Sequence, residues 1–204
     1  MFHGSRLGLD GEIDLTHSRS ELDMGAGFYL GESFTQAASY VVGHSKSSLY
    51  LADGSELNKL KKYEYGVNLE WMLVVSYYRK RLAAYATSPV LQSYINNAKE
   101  QDVLIAPIAD NNMYETMNQF ARGDITDLQA ISALSASSLG KQTVLKTEAA
   151  CKKIKLIDRL YLCDNERKDI ERERKKAAEI ARDKSKLAIE KYRRQGNYIE
   201  EILR

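Results

Sequence analysis

Residues 164–195 contain neither glycine nor proline, and they hold 12 Lys/Arg and 8 Asp/Glu. A stretch so charged cannot be buried as a strand, and nothing in it breaks a helix. It therefore predicts one long α-helix with a solvated face. Ile170, Ala177, Ile180, Ala181, Leu187, Ala188 and Tyr192 give it a thin apolar stripe, interrupted by Lys184 and weaker than a coiled-coil seam. Gly196-Asn197 stops the helix, and 198-YIEEILR-204 adds one apolar turn. The chain thus divides into residues 1–163, which must supply the core, and a charged helical extension, 164–204.

Within 1–163 the apolar pattern switches repeatedly between short strands and helices. Met1–His3, Phe28–Leu30, Ser48–Leu51, Asp102–Ile108, Gln142–Thr147 and Leu156–Cys163 read as strands;. Ser33-Phe34-Thr35-Gln36 and Thr126-Asp127-Leu128-Gln129 are capping boxes that open helices;. Helices are also expected over 67–81, 88–98, 111–123 and 148–154. Asp110 stands where it would cap the helix after it. Strands separated by helices and loops, without a regular alternation, predict an α+β class.

Several functions are excluded on composition and motif. The net charge is +2, which does not describe a polycation seeking nucleic acid. No apolar run approaches the roughly 20 residues of a membrane span, and no basic-then-apolar leader opens the sequence. The expectation is a soluble cytoplasmic protein with no membrane partner. Cys151 and Cys163 lack metal-ligand spacing, suit a reducing compartment and are expected as small buried apolar groups. No phosphate-binding P-loop, zinc-protease helix or nucleophile elbow is present.

Three stretches ask for more than packing. His3-Gly4-Ser5 places an imidazole beside a residue whose backbone a flat ligand can approach;. Gly25-Ala26-Gly27-Phe28-Tyr29 is followed eleven residues later by Tyr40, so two rings could face one cleft, although Tyr40 also fits as a core aromatic. Gln142 begins the strand 142-QTVLKT-147. Arg19 and Asp23 lie on the loop before the glycines, where a cation could meet a pyrophosphate or a salt bridge could fix the loop.

Together with 105-IAPIADNNMYETMNQFARGDITDLQAISAL-134, these stretches resemble ADP-ribosyltransferases of the diphtheria-toxin and poly(ADP-ribose) polymerase type. They are most similar to an uncharacterised bacterial toxin-like domain family of that superfamily. The resemblance implies a split mixed β-sheet core with flanking helices and NAD as co-substrate. It implies that His3 binds the adenosine ribose, Gly4 the nicotinamide amide through its backbone, and Tyr29 and Tyr40 the nicotinamide ring. Arg19 would add a contact to NAD. Gln142 would stand where the superfamily has a glutamate that hydrogen-bonds the reacting ribose, giving a His-Tyr-Gln variant. Ala37 replaces a serine that contacts the nicotinamide amide in the polymerases. The implied activity is transfer of mono-ADP-ribose to a protein or nucleic-acid acceptor, with NAD glycohydrolysis as a side reaction. Bacterial relatives of this kind often act as toxins held by an antitoxin protein. Because glutamine lacks the charge, three outcomes stay open: Gln142 suffices, another acid such as Glu148 or Asp110 assists, or the protein binds NAD or ADP-ribose without turnover. The extension is either a solvated helix or a contact surface for an acceptor or partner.

Overall fold

The computed structural model describes residues 1–9, 11–44, 46–137 and 139–204. Among these residues, seven strands form one mixed sheet: β1 (Phe2–Ser5), β2 (Phe28–Gly31), β3 (Ser48–Asp53), β4 (Lys62–Glu64), β5 (Val103–Pro107), β6 (Lys141–Leu145) and β7 (Lys155–Leu160). Their order is β4-β5-β6-β2-β1-β3-β7, and β4–β5 is the parallel pair. Around it lie α1 (Phe34–Val41), α2 (Leu69–Tyr78), α3 (Pro89–Lys99), α4 (Asn111–Ala121), α5 (Asp127–Ser135), α6 (Glu148–Cys151), α7 (Asp164–Lys191) and α8 (Ile199–Leu203). The fold is α+β, with a mixed sheet, flanking helices and a long charged C-terminal helix.

Local chemistry sets the helix starts as the sequence predicts. Ser33 and Thr126 form reciprocal capping boxes with Gln36 and Gln129. The Asp110 carboxylate accepts from the Met113 N–H at 2.9 Å, which caps α4;. The short parallel strand β4 carries only one polar–aromatic repeat, with Tyr63 and Tyr65 turned to the largest apolar cluster, too short a signal to announce a strand. In α2, every residue from Trp71 to Ser76 is buried, so this helix is enclosed on all sides rather than striped.

Strand alternation sorts the core into two faces. On one face, Tyr29, Leu104, Ala106 and Val144 meet α2, α4 and α5 in the largest apolar cluster. Ala37, Ala38 and Val41 of α1 pack with Leu49 on the same side. On the other face, Phe28, Leu30, Ala52, Val103 and Leu145 pack with Ala150 and Cys151.

The extension is tied to the body. Ile199 and Leu203 of α8 are buried in the largest cluster. Gln129 Nε2 donates to the Ile189 carbonyl at 2.8 Å, and Asn112 Nδ2 to that of Ala178 at 3.0 Å. The predicted stripe is only partly used: Ala181 is buried, whereas Ile180 and Leu187 are exposed. Cys163 is exposed, contrary to the expectation of burial, because it is the N-cap of α7 where the helix emerges into solvent. Cys151 is buried. Among the described residues, no helix is long and apolar enough to cross a membrane.

Candidate functional site

The sheet is split between β1 and β2. These strands share one pairing, Phe2 with Gly31, although each is fully laddered on its other side. Met1 exchanges both backbone hydrogen bonds with Ala52 of β3. By alternation, His3 and Ser5 also direct their backbone groups to β3, whereas Phe2 and Gly4 direct theirs to β2. Past the Phe2 rung, the Gly4 N–H and C=O therefore face the opening, with no ladder partner there among the described residues. The split opens toward Ser5 on one strand and Phe28 on the other.

Gly4 is fixed by packing. A Cβ at this position would lie 2.6 Å from the Ala37 carbonyl oxygen and 2.9 Å from Val41 Cγ1. Helix α1 thus sits directly on the β1 backbone, and only glycine permits that approach.

The His3 ring spans the split. Its Nδ1 lies 2.7 Å from the Tyr29 carbonyl oxygen. A carbonyl can only accept, so Nδ1 carries the proton and Nε2 offers a lone pair. The ring stacks on Phe28 at 4.1 Å between centroids. Burial pulls its pKa below the usual value, and the bond to Tyr29 offsets part of this, so the imidazole is neutral near pH 7.

Tyr29 packs against the largest cluster and uses its hydroxyl inside the preceding loop. The hydroxyl donates to the Gly25 carbonyl at 2.6 Å and accepts from the Met24 N–H at 3.0 Å. Burial raises its pKa well above the ordinary phenol value. Gly25 holds the loop in the left-handed region at φ +73°. Lys146 Nζ clamps the same loop by donating to the Met24 and Ala26 carbonyls. Burial lowers the Lys146 pKa to about 8.

Gln142 is buried at the start of β6, opposite Gly31 of β2 and Ala106 of β5. Its Nε2 donates to Asp23 Oδ2 at 3.1 Å and to the Pro107 carbonyl at 3.3 Å. Asp23 is itself 5% exposed. Its Oδ1 accepts from Arg79 Nε at 3.0 Å, Arg79 Nη2 at 2.7 Å and the Tyr114 hydroxyl at 2.6 Å. The acid beside Gln142 is thus Asp23. Asp110 is occupied as a helix cap, and Glu148 is exposed on α6, beyond the opposite end of β6.

Three of the sequence-predicted groups therefore join in one hydrogen-bonded chain. His3 holds the Tyr29 backbone, the Tyr29 hydroxyl holds the 24–25 loop, and Asp23 of that loop holds Gln142. They do not all point the same way. His3 shares a face with Phe28 and Tyr50, whereas Tyr29 and Gln142 belong to the face beneath the helices. A ligand touching both must pass through the split.

Among the described residues no ring contact joins Tyr40 to Tyr29. It is 48% exposed, so it is not the core aromatic that the sequence also allowed. The Arg6 guanidinium sits 4.8 Å over its ring, and Arg19 Nη2 donates to its hydroxyl at 3.4 Å. The Arg19 loop is pinned to the site because the Ser18 hydroxyl exchanges hydrogen bonds with Gly27 N–H and C=O, at 2.8 and 2.9 Å. Arg6, Arg19 and Tyr40 thus form a cationic rim where the split opens. Two shallow hollows lie elsewhere. One, of about 330 Å³, lies between Asp124 and Lys186, and the other, of about 310 Å³, lies beside Lys80 and Arg122.

Sequence reading missed Arg79, Tyr114 and Arg6. Arg79 ends the apolar run of α2, and Tyr114 lies in α4. Only the three-dimensional meeting with Asp23 marks them, and no local motif could have done so. Arg6 follows His3-Gly4-Ser5 directly and was legible as a cation beside the motif.

Fold and site together define an α+β protein with a split mixed sheet whose cleft residues come from β1, β2 and β6. Residues 1–156 match the model of a family described as a protein of unknown function (DUF3990), and the chain belongs to that family. No curated protein and no solved structure matches the chain.

Proposed function

We propose that the protein is an NAD-dependent ADP-ribosyltransferase that transfers mono-ADP-ribose to a protein or nucleic-acid acceptor, with water as a competing acceptor. The observation that carries this reading is the split itself. Past one rung, the Gly4 backbone groups, a neutral His3 with a free Nε2 and the Arg6–Arg19–Tyr40 rim border one opening, and Gln142 lies one strand away, opposite the Gly31 that closes it.

Each group suits one part of NAD. The Gly4 N–H and C=O complement the nicotinamide carboxamide. His3 Nε2 accepts from a ribose hydroxyl. Arg6 and Arg19 attract the pyrophosphate, while Tyr40 offers a face to the flat ring. Gln142 Oε1 accepts from the 2′-hydroxyl of the nicotinamide ribose. In the reaction, the bond between C1′ and the pyridinium nitrogen breaks, and neutral nicotinamide leaves with the electron pair. The acceptor's nucleophile then bonds to C1′ and releases its proton. The transition state is oxocarbenium-like, and lone pairs aimed at the sugar stabilise it. NAD is a co-substrate here and is consumed in each turnover.

A second reading rests on a separate observation. The carboxylate nearest Gln142 is already paired with Arg79 at 2.7 Å, which weakens its field at the sugar. On that reading the protein is an NAD- or ADP-ribose-binding module acting through protein contacts. Incubation with NAD separates the two. Nicotinamide release that is lost in Tyr29→Ala supports the transferase, and NAD binding without release supports the module. Absence of both removes both readings. Labelled NAD offered to cell lysate, with protein and nucleic-acid fractions counted separately, identifies the acceptor. Where the acceptor proves essential to the cell, a neutralising antitoxin protein is the expected partner.

A further inference from the structure

We infer, building on the transferase reading, that Asp23 is a positioning residue that sets the polarity of the Gln142 carboxamide, so that Oε1 and not Nε2 is offered to the reacting ribose. Both Nε2 hydrogens are used, one by Asp23 Oδ2 at 3.1 Å and one by the Pro107 carbonyl at 3.3 Å. Those partners can only accept, which fixes the amide orientation. Oε1 is the atom left for a ligand, and it occupies the acceptor role that a glutamate oxygen would take.

Asp23 is built to do this. Arg79 from the end of α2 and Tyr114 from α4 both bond Oδ1. Oδ2 is left for Gln142 and for the Ala109 N–H at 3.4 Å. Arg79 supplies the compensating charge that a buried carboxylate requires. The other titratable groups facing the pair are the phenols of Tyr29 and Tyr114. Burial is the first cause raising both of their pKa values, so both phenols stay neutral.

This arrangement reverses the simple expectation for Gln142→Glu. A glutamate there would set two carboxylates at hydrogen-bonding distance, and like charges at that separation cannot both ionise. In its protonated form the introduced side chain would imitate glutamine, donating to Asp23 Oδ2 and offering its other oxygen. In its ionised form it would be repelled by Asp23 and by the Pro107 carbonyl. In Asp23→Asn the oxygen of the introduced amide stays with Arg79 and Tyr114. Its nitrogen then meets Gln142 donor to donor, which turns Nε2 toward the ribose.

The test is nicotinamide release from NAD between about pH 5.5 and 8.5 by wild type, Q142E, D23N and the double variant, with NAD affinity by calorimetry and the fold checked by circular dichroism. Q142E should lose about tenfold per pH unit above the shared pKa of the pair, while wild type shows no such limb. D23N should fall about 10- to 100-fold in kcat with NAD affinity within about threefold. The double variant should exceed both single variants at about pH 8, because the introduced amide then donates to the introduced carboxylate, and it should lack the falling limb. An active wild type with a flat or rising Q142E profile, or a double variant no better than either single one, overturns the positioning role alone. A wild type that neither binds nor cleaves NAD overturns the transferase reading and this inference with it.

Discussion

Asp23 Oδ2 lies 3.1 Å from Gln142 Nε2, although 119 positions separate the two residues along the chain. This contact ties the loop before β2 to the start of β6, beside the split in the sheet. Loss of the carboxylate has a cost in stability as well as in chemistry. Asp23→Ala leaves Arg79, 29% exposed, without its counter-charge and the Tyr114 hydroxyl without its acceptor. Urea unfolding should show a loss of about 2–4 kcal/mol. Arg79→Met in the same background should then cost less than it does in wild type, because the two residues act as a pair.

Gly4 is the residue whose replacement by the smallest side chain should be felt most. Gly4→Ala places a methyl 2.6 Å from the Ala37 carbonyl oxygen and forces α1 away from β1. Overpacking of this kind costs about 1–3 kcal/mol, so the thermal midpoint should fall by several degrees. Gly43→Ala is the control, since a Cβ there meets nothing within 4 Å, and its midpoint should stay close to that of wild type.

The Lys146 clamp predicts a pH dependence with a definite sign. Burial lowers its folded-state pKa from 10.5 to about 8. Between these values the unfolded chain binds a proton that the folded chain does not, so stability rises with pH across that window. Below about pH 8 both states are charged, and the full cost of burying the ammonium is present. Lys146→Met removes the group. The stability of wild type minus that of the variant should therefore increase by about 1–2 kcal/mol from about pH 7.5 to 10. Taking the difference cancels the titration of the tyrosines. A difference that is flat or falls with pH contradicts the assignment.

The charged extension should prove inseparable from the body. Ile199 is 1% exposed within the largest apolar cluster. Ile199→Ala should cost about 2–4 kcal/mol through lost burial and the cavity left behind. Leu187→Ala, at a side chain 66% exposed, should change stability by less than about 0.5 kcal/mol. Denaturant curves of the two variants give the comparison.

Much of this architecture was legible because its signals are local. Ser33–Gln36, Thr126–Gln129 and Asp110 announce helix starts through hydrogen bonds spanning three residues, and the structure contains all three caps. His3, Tyr29 and Gln142 were legible as candidates, and the structure links them through the Tyr29 backbone, the 24–25 loop and Asp23. What stayed hidden depends on distant partners. Arg79 and Tyr114 gain meaning only by meeting Asp23. Strand β4 alternates over only Lys62–Tyr65, too few residues to stand out without its pairing to the backbone of β5. The stripe on α7 misled because helix periodicity gives the spacing of side chains but not the direction of the neighbour. Ile189, outside that stripe, packs on the core, and Leu187, within it, faces solvent.

The central claim is that the opening between β1 and β2 receives NAD, and amide chemical shifts of the labelled protein titrated with NAD test it most directly. The account predicts that Gly4, Tyr29 and the Arg19 loop show the largest changes, and that His3→Ala abolishes them at the same NAD concentration. Shifts confined to the hollows beside Lys186 or Lys80, or no shift at millimolar NAD, would contradict it.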